Sequence, residues 1–167
     1  MIKPSEVKAR AERLEDENYK FRSFLKNHAE EKKLDRQFLD LHNELFGNYD
    51  CSSCRNCCKE SAATLKDEEI PAIASFLQMP KDDFVKKYIK EDFDGYELKD
   101  TPCCFLGEDN ACLIEGCKPQ SCKEYPYTNK PGRLGSLLGI MGSASVCPVV
   151  FEIIERLKKV YGFRPRQ

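Results

Sequence analysis

Eight consecutive residues, "CSSCRNCC" at positions 51–58, carry four thiols: Cys51, Cys54, Cys57 and Cys58. Sulfur at that density serves disulfides, a reactive dithiol, or a metal held by thiolates, and each makes different demands on a fold. The other cysteines fall in "PCCFLGEDNACLIEGCKPQSCKEYP" (Cys103, Cys104, Cys112, Cys117, Cys122) and in "CPVV" (Cys147). The stretches 1–50 and 59–102 contain none. Cysteine used merely as a small buried apolar residue would be scattered over core-facing positions, so the clustering argues for a shared chemical task.

Compartment narrows the choice. The opening "MIKPSEVKARAERLEDENYK" is charged throughout and lacks the apolar stretch of about 7–15 residues that a secretory signal needs. No apolar run reaches the roughly 18 residues of a membrane span. The expected setting is the cytoplasm, where thiols are kept reduced, and 10 cysteines there point to metal or redox chemistry. With a formal net charge of -1, nothing draws the chain broadly to nucleic acid or to an anionic membrane.

The 167 residues suffice for one domain with a modest core, and the patterning predicts a mainly α, single small domain. Residues 1–46 are expected to form an N-terminal helical segment. Leu34, Phe38, Leu41 and Leu45 recur there at helical spacing, and Leu14, Phe21, Phe24 and Leu25 mark an earlier helix that ends or bends near "KNHAEEKK". Residues 47–167 are expected to form a cysteine-cluster metal-binding domain with irregular loops between short helices. In it, Ile70, Ile73, Ala74 and Leu77 share one helical face, with Pro71 near the start, and Phe84, Val85, Tyr88 and Ile89 share another. "DGYELKDTP" reads as a turn with a short strand. Glycines at 132, 135, 139 and 142 leave 125–146 without an assignment. Val150, Ile153, Ile154, Leu157 and Tyr161 then define a last helix, stopped at Gly162.

A C-x-x-C turn brings two sulfurs to one centre and recurs in zinc and iron–sulfur sites. Here it extends through Cys51, Cys54 and Cys57, three thiolates able to reach one face of a 4Fe-4S cluster or to begin a zinc site. The bacterial ferredoxin run starts the same way and takes a further cysteine followed by proline; Cys147-Pro148 has that form at a distance. Adjacent side chains diverge, so Cys57 and Cys58 are expected to serve two metals or two corners of a polynuclear site. The downstream cysteines would complete either two four-thiolate sites or one cluster and one mononuclear site. Four thiolates around zinc or a cubane leave about two negative charges, and Arg55, Lys59, Lys118, Lys123 and Lys130 lie near enough in sequence to offset them.

Other chemistries fit less well. Disulfides need an oxidising compartment, and a thioredoxin-like dithiol needs a strand and a βαβ unit around its C-x-x-C. His42-x-Glu44 has the start of a zinc deaminase signature, but that signature continues as P-C-x-x-C, whereas this chain has Pro102-Cys103-Cys104-Phe105-Leu106. His28 and His42 are expected to be packing or surface residues. No Ser–His–Asp arrangement or phosphate-cradling glycine loop is recognisable.

The succession "CSSCRNCC", "PCCFL", "CLIEGCKPQSCKEYP" and "CP" resembles the YkgJ-type cysteine-cluster family, whose members are described as zinc- or iron-chelating. The resemblance runs from about Cys51 to Pro148. It implies that the functional cysteines are Cys51, Cys54, Cys57, Cys58, Cys103, Cys112, Cys122 and Cys147, with Pro119 and the Tyr125-Pro126 pair also matching. Cys104 and Cys117 are not motif positions and are expected to be buried free thiols. Glu115 stands where the family commonly has tyrosine, and could replace an aromatic packing group or supply an oxygen ligand. Lys118 stands where the family has arginine, which keeps the charge but loses the planar fork. A similar module occurs in flagellin lysine methylases; no S-adenosylmethionine site is identifiable here, so that activity is not carried over.

The expected function is a metal-binding protein holding zinc or iron through cysteine thiolates. An iron–sulfur protein with a redox or enzyme-accessory role is one alternative. A zinc-stapled interaction module, in which the helices of 1–46 bind a protein partner, is another. No acid, base or nucleophile outside the cysteines stands out for catalysis.

Overall fold

The computed structural model describes residues 1–92 and 95–164, and the chain is mainly α. Three helices come first: α1 (Pro4–Arg13), α2 (Glu15–His28) and α3 (Glu31–Phe46). Two short helices, α4 (Cys51–Cys54) and α5 (Asn56–Glu60), carry the first cysteines. Next come β1 (Thr64–Leu65), α6 (Glu69–Phe76), α7 (Lys81–Tyr88), β2 (Ile89–Asp92) and β3 (Gly95–Leu98). A 3-10 turn at Glu115–Cys117 leads to α8 (Gln120–Glu124), α9 (Arg133–Ser143) and α10 (Pro148–Val160). By packing, the chain divides into two units: Met1–Asp50 with Pro126–Gln167, and Cys51–Tyr125.

In the first unit α1, α2, α3, α9 and α10 pack on one another. The apolar stripe of α3 buries Leu34, Phe38 and Leu45, and α10 buries Val150, Ile153, Ile154 and Leu157. Fully burying each such side chain contributes about 1.5–3 kcal/mol. The expected break near "KNHAEEKK" lies at Ala29 and Glu30, both extended. A second break falls at Leu14, where the backbone leaves helical values (φ -104°, ψ 10°). No proline or glycine marks it, so the pattern reads through it. The stretch that sequence left unassigned holds α9, whose first amides are bound by a carboxylate from α3. Asp35 accepts the Gly132 amide at 2.9 Å and the Arg133 amide at 2.8 Å, satisfying donors that a helix start leaves unpaired. Lys158 is only 5% exposed and is paired with Glu17 at 2.7 Å and Glu155 at 2.6 Å.

The second unit is built on an antiparallel sheet of order β1-β3-β2. Ile89, expected on the helical face of α7, instead opens β2 and pairs with Leu98; the helix ends one residue earlier. β-branched Ile89 fits a pleated surface better than a helix end. Leu65, Ile70, Ile73, Ala74, Phe84, Ile89, Leu98, Phe105 and Ile114 form the core, and half-buried Cys103, Cys104, Cys112 and Cys117 pack against it. The cysteines thus stand on the margin of an apolar core. No helix among the described residues is long and apolar enough to cross a membrane.

Candidate metal centre

The first cysteine segment is two single-turn helices meeting at Arg55. Cys51 and Cys54 sit one turn apart on α4, a spacing that places both on one helix face. The Arg55 amide closes α4 on the Cys51 carbonyl at 3.1 Å, and the Arg55 carbonyl accepts the Cys58 amide at 3.1 Å. Arg55 itself takes a left-handed conformation (φ 47°), so α5 starts in a new direction with Cys57 and Cys58 side by side on it.

The second segment joins the first through the main chain. The Cys103 amide donates to the Cys58 carbonyl at 2.7 Å. Beyond Phe105 the chain reverses: Leu106 bridges Cys112, the Gly107 amide donates to the Ala111 carbonyl at 2.8 Å, and the Leu113 amide to the Phe105 carbonyl at 2.9 Å. Glycine suits position 107, because a Cβ there would crowd Asp109 Oδ1 at 2.9 Å and the Ala111 carbonyl at 3.3 Å. Asp109 Oδ1 in turn accepts the Ala111 amide at 2.9 Å, the local turn chemistry that favours aspartate here. This reversal returns Cys112 to Leu106, three residues after Cys103.

Cys122 is delivered by α8, and Glu69 of α6 fixes where that helix begins. One Glu69 oxygen accepts the Gln120 amide at 2.6 Å and the other the Lys66 amide at 2.8 Å. Ser121 adds a bond from its hydroxyl to the Thr64 carbonyl at 2.6 Å. Pro119 precedes the helix and its carbonyl accepts the Cys122 amide at 3.0 Å.

Electrostatically, Cys58, Cys103, Cys112 and Cys122 form one neighbourhood. Charge on Cys58, Cys103 or Cys112 each disfavours the Cys122 thiolate, as charge on Cys58 does that of Cys103. A hydrogen bond from the Cys57 side chain, helped by Arg55 and Lys118, lowers the Cys58 thiol to about 6. The Cys104 side chain likewise lowers Cys103 to about 7, and is itself held protonated by that bond. Desolvation pushes Cys112 up and Cys122 up to about 11. Cys122 is exposed as a residue.

All ten cysteines are thiols. Among the described residues no three Cys, His, Asp or Glu side chains are gathered closely enough to cage an ion as they stand. The donor set nonetheless fits the metals named by the resemblance: thiolates are soft ligands that select zinc and iron–sulfur centres, and two of the four sulfurs are eased toward the ionised form. Cys51 is exposed, and Cys54 and Cys57 are half-exposed. Cys147 belongs to the helical unit, buried at the start of α10. Cys104 and Cys117, expected to be buried, are half-exposed.

Sequence reasoning missed Glu69, which looks like any acidic residue in a first helical turn, and it gave Arg55 and Glu115 no contact with each other. In the structure Glu115 pairs with Arg55 at 3.3 Å and Lys118 at 2.5 Å. His42 has a packing role, as expected: its Nδ1 lies 2.8 Å from the Thr128 hydroxyl and its ring 4.6 Å from that of Phe46.

An uncharacterized protein of Methanocaldococcus jannaschii, MJ0661, is 35% identical over 85 residues, which cover 48% of this chain and 45% of that protein. The chain therefore spans less than half the length of the curated relative it matches. No solved structure matches at a significant level. Residues 50–148, more than half of the chain, match the CxxCxxCC family, described as a "Putative zinc- or iron-chelating domain". With its cysteine segments in that order and spacing, the chain belongs to this family.

Proposed function

We propose that this protein holds zinc or iron through thiolates of the Cys51–Tyr125 unit, with Cys58, Cys103, Cys112 and Cys122 as one set and Cys51, Cys54 and Cys57 supplying the rest. The observation that carries the reading is the Cys103–Cys58 backbone bond, which joins the two cysteine segments, together with the chain reversal that pairs Cys112 with Leu106. Adjacent Cys57 and Cys58 share the short helix α5, which supports two centres more than one. Bound metal would tie the two cysteine segments together and so add its binding energy to the stability of the unit. Ten thiols suit a reducing compartment such as the cytoplasm.

Metal and acid-labile sulfide per chain, with a visible spectrum of the same protein purified without oxygen, test the reading. Stoichiometric zinc in colourless protein supports closed thiolate sites. Iron with sulfide and a brown colour that bleaches on reduction supports the 4Fe-4S alternative. Protein that retains no metal and takes none up under reducing conditions contradicts both.

A further inference from the structure

We propose that Arg55 is a positioning residue for the thiolate centre, a nearly buried cation that latches the first cysteine segment to the 110–118 loop and offsets charge on the sulfurs. This rests on the thiolate reading above. An arginine on a loop between two cysteines is ordinarily a solvated side chain. Here the side chain is only 12% exposed. Its Nε donates to the Asn110 carbonyl at 3.2 Å and its Nη2 to Glu115 Oε2 at 3.3 Å.

The backbone supports the same conclusion. A non-glycine residue in the left-handed region costs about 1 kcal/mol or more, and Arg55 adopts it (φ 47°). The acceptor Asn110 is also left-handed (φ 63°), a conformation asparagine tolerates in a turn. The strained residue is Arg55, where the guanidinium crosses from one cysteine segment to the other. The planar fork matters: lysine could supply the charge but could not reach a carbonyl and a carboxylate together.

Charge adds a second role. Glu115 joins Arg55 to Lys118, whose side chain is 17% exposed, so two cations and one carboxylate leave a net positive group where the two cysteine segments meet. Glu115 is 60% exposed in both pairs, so the pairs themselves are worth little; what counts is the placement of the two cations, which are mostly shielded from water.

The test compares wild type, Arg55→Met, Arg55→Lys and Glu115→Gln, each stripped of metal and kept reduced. Zinc affinity is read by competition with a chromogenic chelator, and the sulfur-to-metal charge-transfer band is read with cobalt(II) bound. Arg55→Met is expected to weaken zinc binding about 10-fold or more. It should also move the cobalt band to lower energy, because the sulfur electrons lose a nearby positive charge. Arg55→Lys should restore the band but only part of the affinity. Glu115→Gln should move the band the other way. Wild-type affinity and an unmoved band in Arg55→Met would overturn the proposal. Should circular dichroism show that Arg55→Met is unfolded without metal, the other two variants decide: no change of affinity or band in either overturns it. Wild type that binds neither zinc nor cobalt would overturn the metal reading itself, an outcome distinct from equal binding by every variant.

Discussion

The amide of Cys103 donates to the carbonyl of Cys58 at 2.7 Å, a backbone bond between two cysteines from distant segments. Because neither side chain takes part, the bond survives substitution of either sulfur. Serine at Cys58 or Cys103 is therefore expected to leave the metal-free stability within about 1 kcal/mol of wild type, since both residues are only half-buried. The stabilisation by metal is where they should differ. Zinc at one hundred times its Kd should add about 2.7 kcal/mol to the wild type, and most of that should vanish in either variant. Thermal melts with and without zinc, under reducing conditions, measure it.

Glu69 uses both carboxylate oxygens to hold the amides of Gln120 and Lys66. Glu69→Ala leaves both amides without this partner and is expected to cost about 1–2 kcal/mol in denaturant unfolding. It should also weaken zinc binding, because α8 carries Cys122. Glu69→Gln, which keeps one acceptor oxygen, should fall between alanine and wild type.

Asp35 plays the comparable part in the helical unit, where it accepts the amides of Gly132 and Arg133. Removing such a helix-start acceptor typically costs about 1 kcal/mol. Two amides depend on it here, so Asp35→Ala should lie toward 2 kcal/mol, and Asp35→Asn should retain part of the stability. Equilibrium unfolding followed by far-ultraviolet circular dichroism gives the value.

His42 carries a pH dependence whose sign is set by burial. Desolvation depresses its folded pKa below 6.5, so the unfolded chain takes up the proton first as pH falls. The stability from neutral His42 is full above 6.5 and is lost as pH drops through that value toward the depressed folded one. His42→Gln should therefore show a shallower loss of stability between about pH 7 and 5 than the wild type. Urea midpoints across that range provide the comparison.

Much of the architecture can be read from side-chain periodicity. Of the two stripes, Leu34, Phe38 and Leu45 and Val150, Ile153, Ile154 and Leu157 are buried as predicted, while Leu41 and Tyr161 are half-buried at their margins; a 3.6-residue repeat leaves an amphipathic helix little choice. The break at Leu14 is illegible, since charged neighbours continue the helical pattern across it. The glycine-rich stretch is illegible for a different reason. Gly135, Gly139 and Gly142 lie in α9 with nothing near the place a Cβ would occupy, so the helix there is set by Asp35 and by Leu137, Ile140 and Met141 on the packed face. The mainly α class and the family could be read from the sequence. What joins the cysteine segments could not, because the joints are a main-chain bond at Cys58 and the carboxylates of Glu69 and Glu115. Bonds of that kind leave no periodic trace.

The most direct test of the thiolate centre is X-ray absorption at the edge of whichever metal the protein carries when purified without oxygen. The account predicts a first shell of four sulfurs at about 2.3 Å. A shell of nitrogen or oxygen at about 2.0–2.2 Å would contradict it.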